Sequence, residues 1–405
     1  MHEPLNQVAA FPRRGTLSSS PAAIAFGGLI ALAVAVGIGR FAFTPILPMM
    51  LEDAGLSVAD GGWLASANYV GYLLGALTAI RVQARPAAVI RGGLVVTGLA
   101  TLAMGVGHSF AAWMVLRALA GFMSAWVLIF ASAWCLGRLT PAGRPVLNGT
   151  VFAGVGAGIA SAGALCIALM HMHVGSARTW EVFGVISLVL TACIWPVFGT
   201  ADGAGDGARR QDTAAAASGA AAVWTGESIR LILCYGIFGF GYIIPATFLP
   251  VMAKQAIHDP AIFGWSWPVF GAAALVSTVA AALRPKTTSN RRLWILCHLA
   301  MAVGTALPVF RDGIATIMLA ALLVGGTFMV ITMVGMQEAR EIAGPGATSL
   351  MAAMTAAFAA GQIIGPLCVS SVAGGGGFGT ALLVACFLLV ASAWALSRGG
   401  AGGKR

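Results

Sequence analysis

GIGRFAFTPILPMM (37–50) and GFGYIIPATFLPVM (239–252) align without a gap at an offset of 202 residues. Five of the fourteen positions are identical: Gly37/Gly239, Gly39/Gly241, Leu47/Leu249, Pro48/Pro250 and Met50/Met252. The same offset carries Gly62-Trp63 onto Gly264-Trp265, so the register holds through the connection that follows. Later positions need small shifts. Gly121 pairs with Gly325 at an offset of 204, and Gly154 and Gly158 pair with Gly361 and Gly365 at 207. A register kept over this distance marks an internal repeat of half the chain.

Each repeat is too apolar for a water-soluble fold. Of 405 residues, 59% are hydrophobic and 9% charged, against about 45–50% and 25% in soluble domains. The mean hydropathy is +0.90. A soluble enzyme, a nucleic-acid-binding domain and a disordered chain are thereby excluded. A helix crossing a bilayer needs about 20 apolar residues. Gly61–Ile80, Gly92–Leu116, Pro145–Ala177, Val182–Ala201, Leu231–Ala253, Pro260–Leu283, Leu293–Phe310 and Gly313–Gln337 each fit one span. Ile342–Ser397 is uncharged over 56 residues and is expected to hold two, divided at Gly374–Gly377. Pro21–Met50 and Ser109–Leu136 carry one arginine each, Arg40 and Arg117. The expectation is an all-α membrane protein with twelve transmembrane helices in two six-helix bundles. Each half has an even number of spans, so the repeats are parallel, about an axis along the membrane normal.

Charge placement tests this count. With both termini on the cytoplasmic side, inside segments carry 17 lysines and arginines and outside loops carry 3, the bias expected of a multi-pass protein. The net charge of +10 therefore reflects short basic loops and no nucleic-acid surface. Residues 1–20 and 399–405 are expected to be disordered cytoplasmic tails. Residues 21–198 and 227–398 are the two bundles, joined by the Gly/Ala-rich cytoplasmic linker 199–226. The first apolar run is too long for a cleaved leader and reads as a signal-anchor, despite the adjacent Arg13-Arg14. The seven cysteines all lie in apolar runs with no CxxC pattern, so they read as small buried hydrophobes.

Several motifs resemble one family. Gly39-Arg40-Phe-Ala-Phe-Thr-Pro-Ile-Leu-Pro-Met-Met, Gly62-Trp63-Leu-Ala-Ser-Ala-Asn68-Tyr69, Tyr235-Gly-Ile-Phe-Gly-Phe-Gly-Tyr-Ile-Ile-Pro-Ala-Thr-Phe-Leu-Pro250, Gly325-Gly-Thr-Phe-Met-Val-Ile-Thr332 and Ala357-Phe-Ala-Ala-Gly-Gln-Ile-Ile-Gly-Pro366 are similar to the YbfB/YjiJ-like branch of the major facilitator superfamily. The resemblance covers residues 21–398 and implies a secondary transporter of the bacterial inner membrane with the major facilitator fold. It also implies that spans 1, 4, 7 and 10 line a central cavity and that spans 2, 5 and 11 lie between the halves. The chain departs from the wider superfamily after span 2. Gly75 and the basic residues Arg81, Arg85 and Arg91 are kept, but Ala79 stands where an aspartate is usual.

An ionisable residue inside a span is a functional candidate, because burying its charge costs several kcal/mol unless something answers it. Arg40 and Arg117 qualify and lie at similar depth, about 15 Å and 12 Å from the outer end at 1.5 Å per residue. Both could converge on one anion, whose carboxylate or phosphate an arginine meets bidentately. The structural alternative is that each satisfies kink carbonyls near Pro45 and Pro48 or packs on aromatics. None of the thirteen acidic residues falls mid-span, which argues against a cation exporter. Tyr242 is the repeat counterpart of Arg40 and shares a face with Tyr235; Asn68 and Tyr72 share another. Tyr242, Tyr72, Asn68, Thr332 and Gln362 are the further substrate-binding candidates, while Tyr69 reads as an interfacial anchor and His298 as structural. Glu338 is expected at a cytoplasmic gate, paired with a loop arginine. The pairs Gly71/Gly75, Gly154/Gly158 and Gly361/Gly365 are expected to form smooth rocking surfaces between the halves.

The leading reading is a secondary transporter moving a small organic, anionic solute by alternating access. The competing reading is an efflux pump for neutral or amphipathic drugs or metabolites, with Met329, Met333 and Met336 as adaptable contacts. A membrane enzyme would need a buried cluster of His, Asp, Glu or Cys, and the pattern offers none. No cofactor and no metal site are expected; His171 and His173 lack a third ligand. The partners are a small-molecule substrate, the lipid bilayer and protons as the candidate coupling ion, with the chain acting as a monomer.

Overall fold

The computed structural model describes residues 20–82, 84–107, 109–141, 144–199, 224–256, 265–284, 288–311, 313–372 and 377–398. The expected tails and most of the expected linker lie outside the described residues. Helices stand at each expected position. They are α1 (Pro21–Asp53), α2 (Val58–Ala79), α3 (Pro86–Val106), α4 (Phe110–Leu139), α5 (Pro145–His171), α6 (Ser176–Ile194), α7 (Gly226–Ala256), α8 (Ser266–Ala282), α9 (Asn290–Phe310), α10 (Ile314–Ala343), α11 (Ala347–Val372) and α12 (Gly377–Ser397). Among the described residues nine helical stretches are long and apolar enough to cross a membrane. One of these, Ala315–Gly365, contains both α10 and most of α11, joined at the turn Gly344–Gly346. Helix α2 is diluted by Asn68, Tyr69 and Tyr72, and α8 has 17 residues, so neither is among the nine.

The helix ends follow local chemistry. Ser57 and Asp60 form a capping box at the start of α2. Proline stands in the first turn of α3 and of α5, where its missing N–H is no loss. Asp53, ending α1, accepts from the Ser176 N–H at 2.5 Å and its hydroxyl at 2.6 Å, tying α1 to the first turn of α6. Arg91 donates to the Trp195 carbonyl at 2.7 Å and joins the opposite ends of α3 and α6.

Packing repeats as the sequence does. In the first half α2 packs on α4, α3 on α4 and α6, and α1 on α4 and α5. In the second half α8 packs on α10, α9 on α10 and α12, and α7 on α10 and α11. Every pair in one list maps onto a pair in the other by adding six. Between the halves the main contacts are α5 with α8 and α2 with α11, and these two exchange under the same mapping. That is the signature of two parallel bundles related by a two-fold axis.

The paired glycines are not where they were expected. Gly71 and Gly75 sit against the Ala118 and Phe122 backbones of α4. Gly154 and Gly158 sit against Leu29, Ala33 and Gly37 of α1, and Gly361 and Gly365 against Gly236, Phe240 and Ile243 of α7. All six serve contacts inside a bundle, not between bundles. Lipid supplies no hydrophobic drive to hold helices together, so close backbone approach does this work, with Cα–H···O contacts worth about 0.5–1 kcal/mol each. The seam between α5 and α8 is formed by other glycines: Gly149 against Thr278 and Ala282, Gly156 against Gly271 and Leu275, and Gly163 against Pro268.

Candidate functional site

The site begins where α1 breaks. A π-helical turn occupies Ala33–Ile38, irregular hydrogen-bonded turns follow through 39–42, with the Arg40 and Phe41 N–H groups both on the Val36 carbonyl, and α-helix resumes at Phe43. Pro45 lacks the N–H that would bond the Phe41 carbonyl, and the Thr44 N–H takes that carbonyl instead at 3.2 Å. The carbonyls of Gly39 and Arg40 need another donor, since an unpaired one in a membrane costs several kcal/mol. Arg117 of α4 supplies it: Nη1 donates to Gly39 O and Nη2 to Arg40 O, both at 3.2 Å. Its guanidinium also lies 4.5 Å from the centre of the Phe43 ring. Asn68 of α2 donates to the Arg117 carbonyl at 3.0 Å, and Gly121 leaves room for the Asn68 backbone. In this structure Arg117 takes the structural alternative and meets the freed carbonyls of α1, while the Arg40 side chain reaches Gln362 of the other bundle.

Arg40 is 4% exposed and reaches the seam between the bundles. Its guanidinium carbon stands 3.9 Å from the centre of the Tyr72 ring and 5.4 Å from those of Tyr69 and Phe41. Such stacking on aromatic faces stabilises a desolvated cation by about 2 kcal/mol. Arg40 Nη2 donates to Oε1 of Gln362 on α11, a buried hydrogen bond from one bundle to the other. Arg40 Nε, Gln362 Nε2, Arg117 Nε and Asn68 Oδ1 are buried without a hydrogen-bond partner. The ion pairs among the described residues lie elsewhere, at Arg178–Glu181, Arg230–Glu227, Arg291–Glu227 and Arg291–Glu338. Arg40 therefore meets a neutral amide and aromatic rings, and no carboxylate.

On the second bundle's side lies a wall of aromatic rings. Phe41 touches Trp267 and Phe328 at centroid distances of 6.2 and 6.3 Å. Phe328 stacks on Tyr242 at 5.0 Å, and Phe358 touches Tyr72, Tyr235, Phe238 and Tyr242. The structure thus brings Arg40, Tyr72 and Gln362 together, with Asn68 two hydrogen bonds away through Arg117. Tyr242 is one ring removed from Phe41. Thr332 bonds the Phe328 carbonyl of its own helix at 3.0 Å and stands beside Tyr235.

Two further expectations change. Tyr69 is half-buried against Arg40 and is part of the site, not an interfacial anchor. Glu338 does pair with an arginine at the start of a helix, Arg291 at 2.9 Å, but both belong to the second bundle, with Glu227 on the same arginine. This cluster clamps α7, α9 and α10 together, not the two halves. Phe41, Phe328 and Phe358 were not singled out from sequence. Phe41 follows Arg40 directly, and only that adjacency could have marked it.

The family model described as uncharacterised MFS-type transporter YbfB matches residues 32–397. Among solved structures, the crystal structure of the human organic anion transporter MFSD10 (TETRAN) is similar at a TM-score of 0.72 and 16% identity. The match covers 93% of this chain and 99% of that one. At that identity the likeness is one of fold. No match is found among curated protein sequences.

Proposed function

The chain belongs to the YbfB family of MFS-type membrane transporters, and from that premise we propose that it carries a small organic anion across a bacterial inner membrane by alternating access, with Arg40 holding the anion. The observation that carries this reading is the buried Arg40 guanidinium, met by aromatic faces and one neutral amide, with Nε open. A carboxylate in that position would form charge-assisted hydrogen bonds, each worth about 1.5–3 kcal/mol. The fold neighbour's description as an organic anion transporter is consistent with this reading. The charge bias of 17 to 3 supports both termini on the cytoplasmic side. Of the acidic residues at span ends, Glu181 and Glu338 pair with Arg178 and Arg291. In this reading the substrate's own carboxylate carries any co-transported proton.

The test is a thermal-shift and calorimetry screen of the purified protein against benzoate, phenylacetate and lactate, with tetraphenylphosphonium and neutral amphiphiles as contrasts. Ligand binding stabilises by mass action and needs no knowledge of transport direction. A carboxylate should bind the parent. Arg40→Lys keeps the charge and loses the planar fork, so its affinity should fall about tenfold, 1.4 kcal/mol. Arg40→Gln should abolish binding. If a lipophilic cation or a neutral amphiphile binds best, or Arg40→Gln binds the carboxylate as the parent does, the aromatic wall is the site and the drug-efflux reading replaces this one.

A further inference from the structure

We infer that Gln362 is a built-in surrogate for the substrate anion, which lets the empty carrier close over Arg40. The inference rests on the anion reading above and adds how the site is managed when nothing is bound. A buried cation without a counter-group opposes closure of the two bundles, because stripping it of water costs several kcal/mol. Gln362 Oε1 answers part of that need by accepting from Arg40 Nη2 across the seam. It answers only part, since Arg40 Nε and Gln362 Nε2 are left buried and unpartnered. A neutral acceptor on one guanidinium nitrogen is the weaker competitor, because bonds between two charged groups are roughly twice as strong. A carboxylate entering from either side would take Nη2 and Nε together. Gln362 can then turn its amide and donate Nε2 to the anion's second oxygen, so the link between the bundles is kept with the substrate in place of the amide oxygen.

The second half of the molecule gives this device no twin. At the offsets of the repeat Arg40 maps onto Tyr242 and Gln362 onto Val155. One cation and one surrogate therefore serve the whole carrier, and the surrogate sits on the opposite bundle from the cation.

The test uses the full chain in proteoliposomes, with whichever of benzoate, phenylacetate and lactate binds the parent most tightly, radiolabelled. Two rates are compared: exchange of label against the same compound inside, which needs only the loaded carrier to turn over, and net uptake, which also needs the empty carrier to return. Gln362→Met keeps the volume and removes the polar atoms, so exchange should fall severalfold with the lost contact to the anion, while net uptake should fall about tenfold further. Gln362→Glu installs a carboxylate that competes for Arg40, so affinity should fall at least tenfold. Equal loss of both rates in Gln362→Met, or no loss in either, overturns the inference, as does unchanged affinity in Gln362→Glu. A parent that exchanges but shows no net uptake also overturns it. These failures leave carboxylate binding and its dependence on Arg40 intact, whereas absence of carboxylate binding in the parent removes the anion reading itself and this inference with it.

Discussion

In α1 the residues from Gly37 to Met50 pass out of a π-turn and through an irregular turn before resuming as α-helix, whereas in α7 the matching residues 239 to 252 lie within one helix, Gly226–Ala256. Both copies have the two glycines, and both have prolines, Pro45 and Pro48 in one and Pro245 and Pro250 in the other. The glycines and the one matched proline, Pro48/Pro250, therefore do not explain the break, while Pro45 falls opposite Thr247. A second difference lies on the neighbouring helix. Arg117 of α4 donates to the two carbonyls released in α1, while its counterpart on α10 at an offset of 204 is Ala321, which has nothing to donate. A helix in a membrane can open only where another group satisfies the backbone it frees. The irregular turn in α1 carries Arg40, so one arginine satisfies the backbone that bears the other.

The largest expected effect breaks this comparison at its donor. Arg117→Met removes two bonds from a charged group, each worth about 1.5–3 kcal/mol, and relieves some of the cost of a buried charge. The net loss should be about 3 kcal/mol, read as a marked fall in the apparent Tm of the detergent-solubilised protein. Ala321→Met, the matched change in the second repeat, should cost under about 1 kcal/mol, because Ala321 is only half-buried and bonds to nothing by its side chain. Equal losses at the two positions would mean that Arg117 does not support the break.

A second pair of changes sharpens the comparison at the glycines. A Cβ at Gly158 would meet the Ala33 carbonyl and the Gly37 backbone, which cannot move aside. A Cβ at Gly365 would meet the side chains of Ile243 and Ile244, which can. Overpacking costs about 1–3 kcal/mol, so Gly158→Ala should sit near the top of that range and Gly365→Ala near the bottom. Carboxylate binding per folded molecule should be unchanged in both, since neither glycine touches Arg40. Reversal of the order by thermal melting would place the tighter helix pair in the second bundle.

Span positions, parallel repeats and the arginine at the site were legible because each leaves a local mark: apolar length, gapless register, or a charge where none is tolerated. Gln362 was legible as a polar residue inside a span, and Tyr72 through its spacing from Asn68. What was not legible depends on which helix faces which. The spacing of Gly154 and Gly158 announces a close neighbour and does not say that the neighbour is α1. Arg117 and Arg40 look alike in sequence, yet one points at backbone and the other at an open seam. Tyr69 differs from an anchor only by the proximity of Arg40, which comes from another helix.

The smallest effect asks whether the proline is what makes Arg117 necessary. Pro45→Ala restores an N–H able to bond the Phe41 carbonyl and allows the following turn to close as ordinary helix, with the N–H groups of Phe43 and Thr44 returned to the carbonyls of Gly39 and Arg40. Arg117 would then have less to satisfy. In a double-mutant cycle, Arg117→Met in the Pro45→Ala background should cost about 1 kcal/mol less than in the parent, a coupling of the size expected for residues sharing partners. Pro245→Ala, the matched site being the Phe43 position of the second repeat, should show no coupling to Ala321→Met, because α7 is already continuous. The straightened α1 should also withdraw Arg40 from Gln362, so Pro45→Ala alone should weaken carboxylate binding severalfold while raising or preserving the apparent Tm. Additivity in the first cycle, together with unchanged binding, would mean that the π-turn at Ala33–Ile38 opens α1 without help from Pro45.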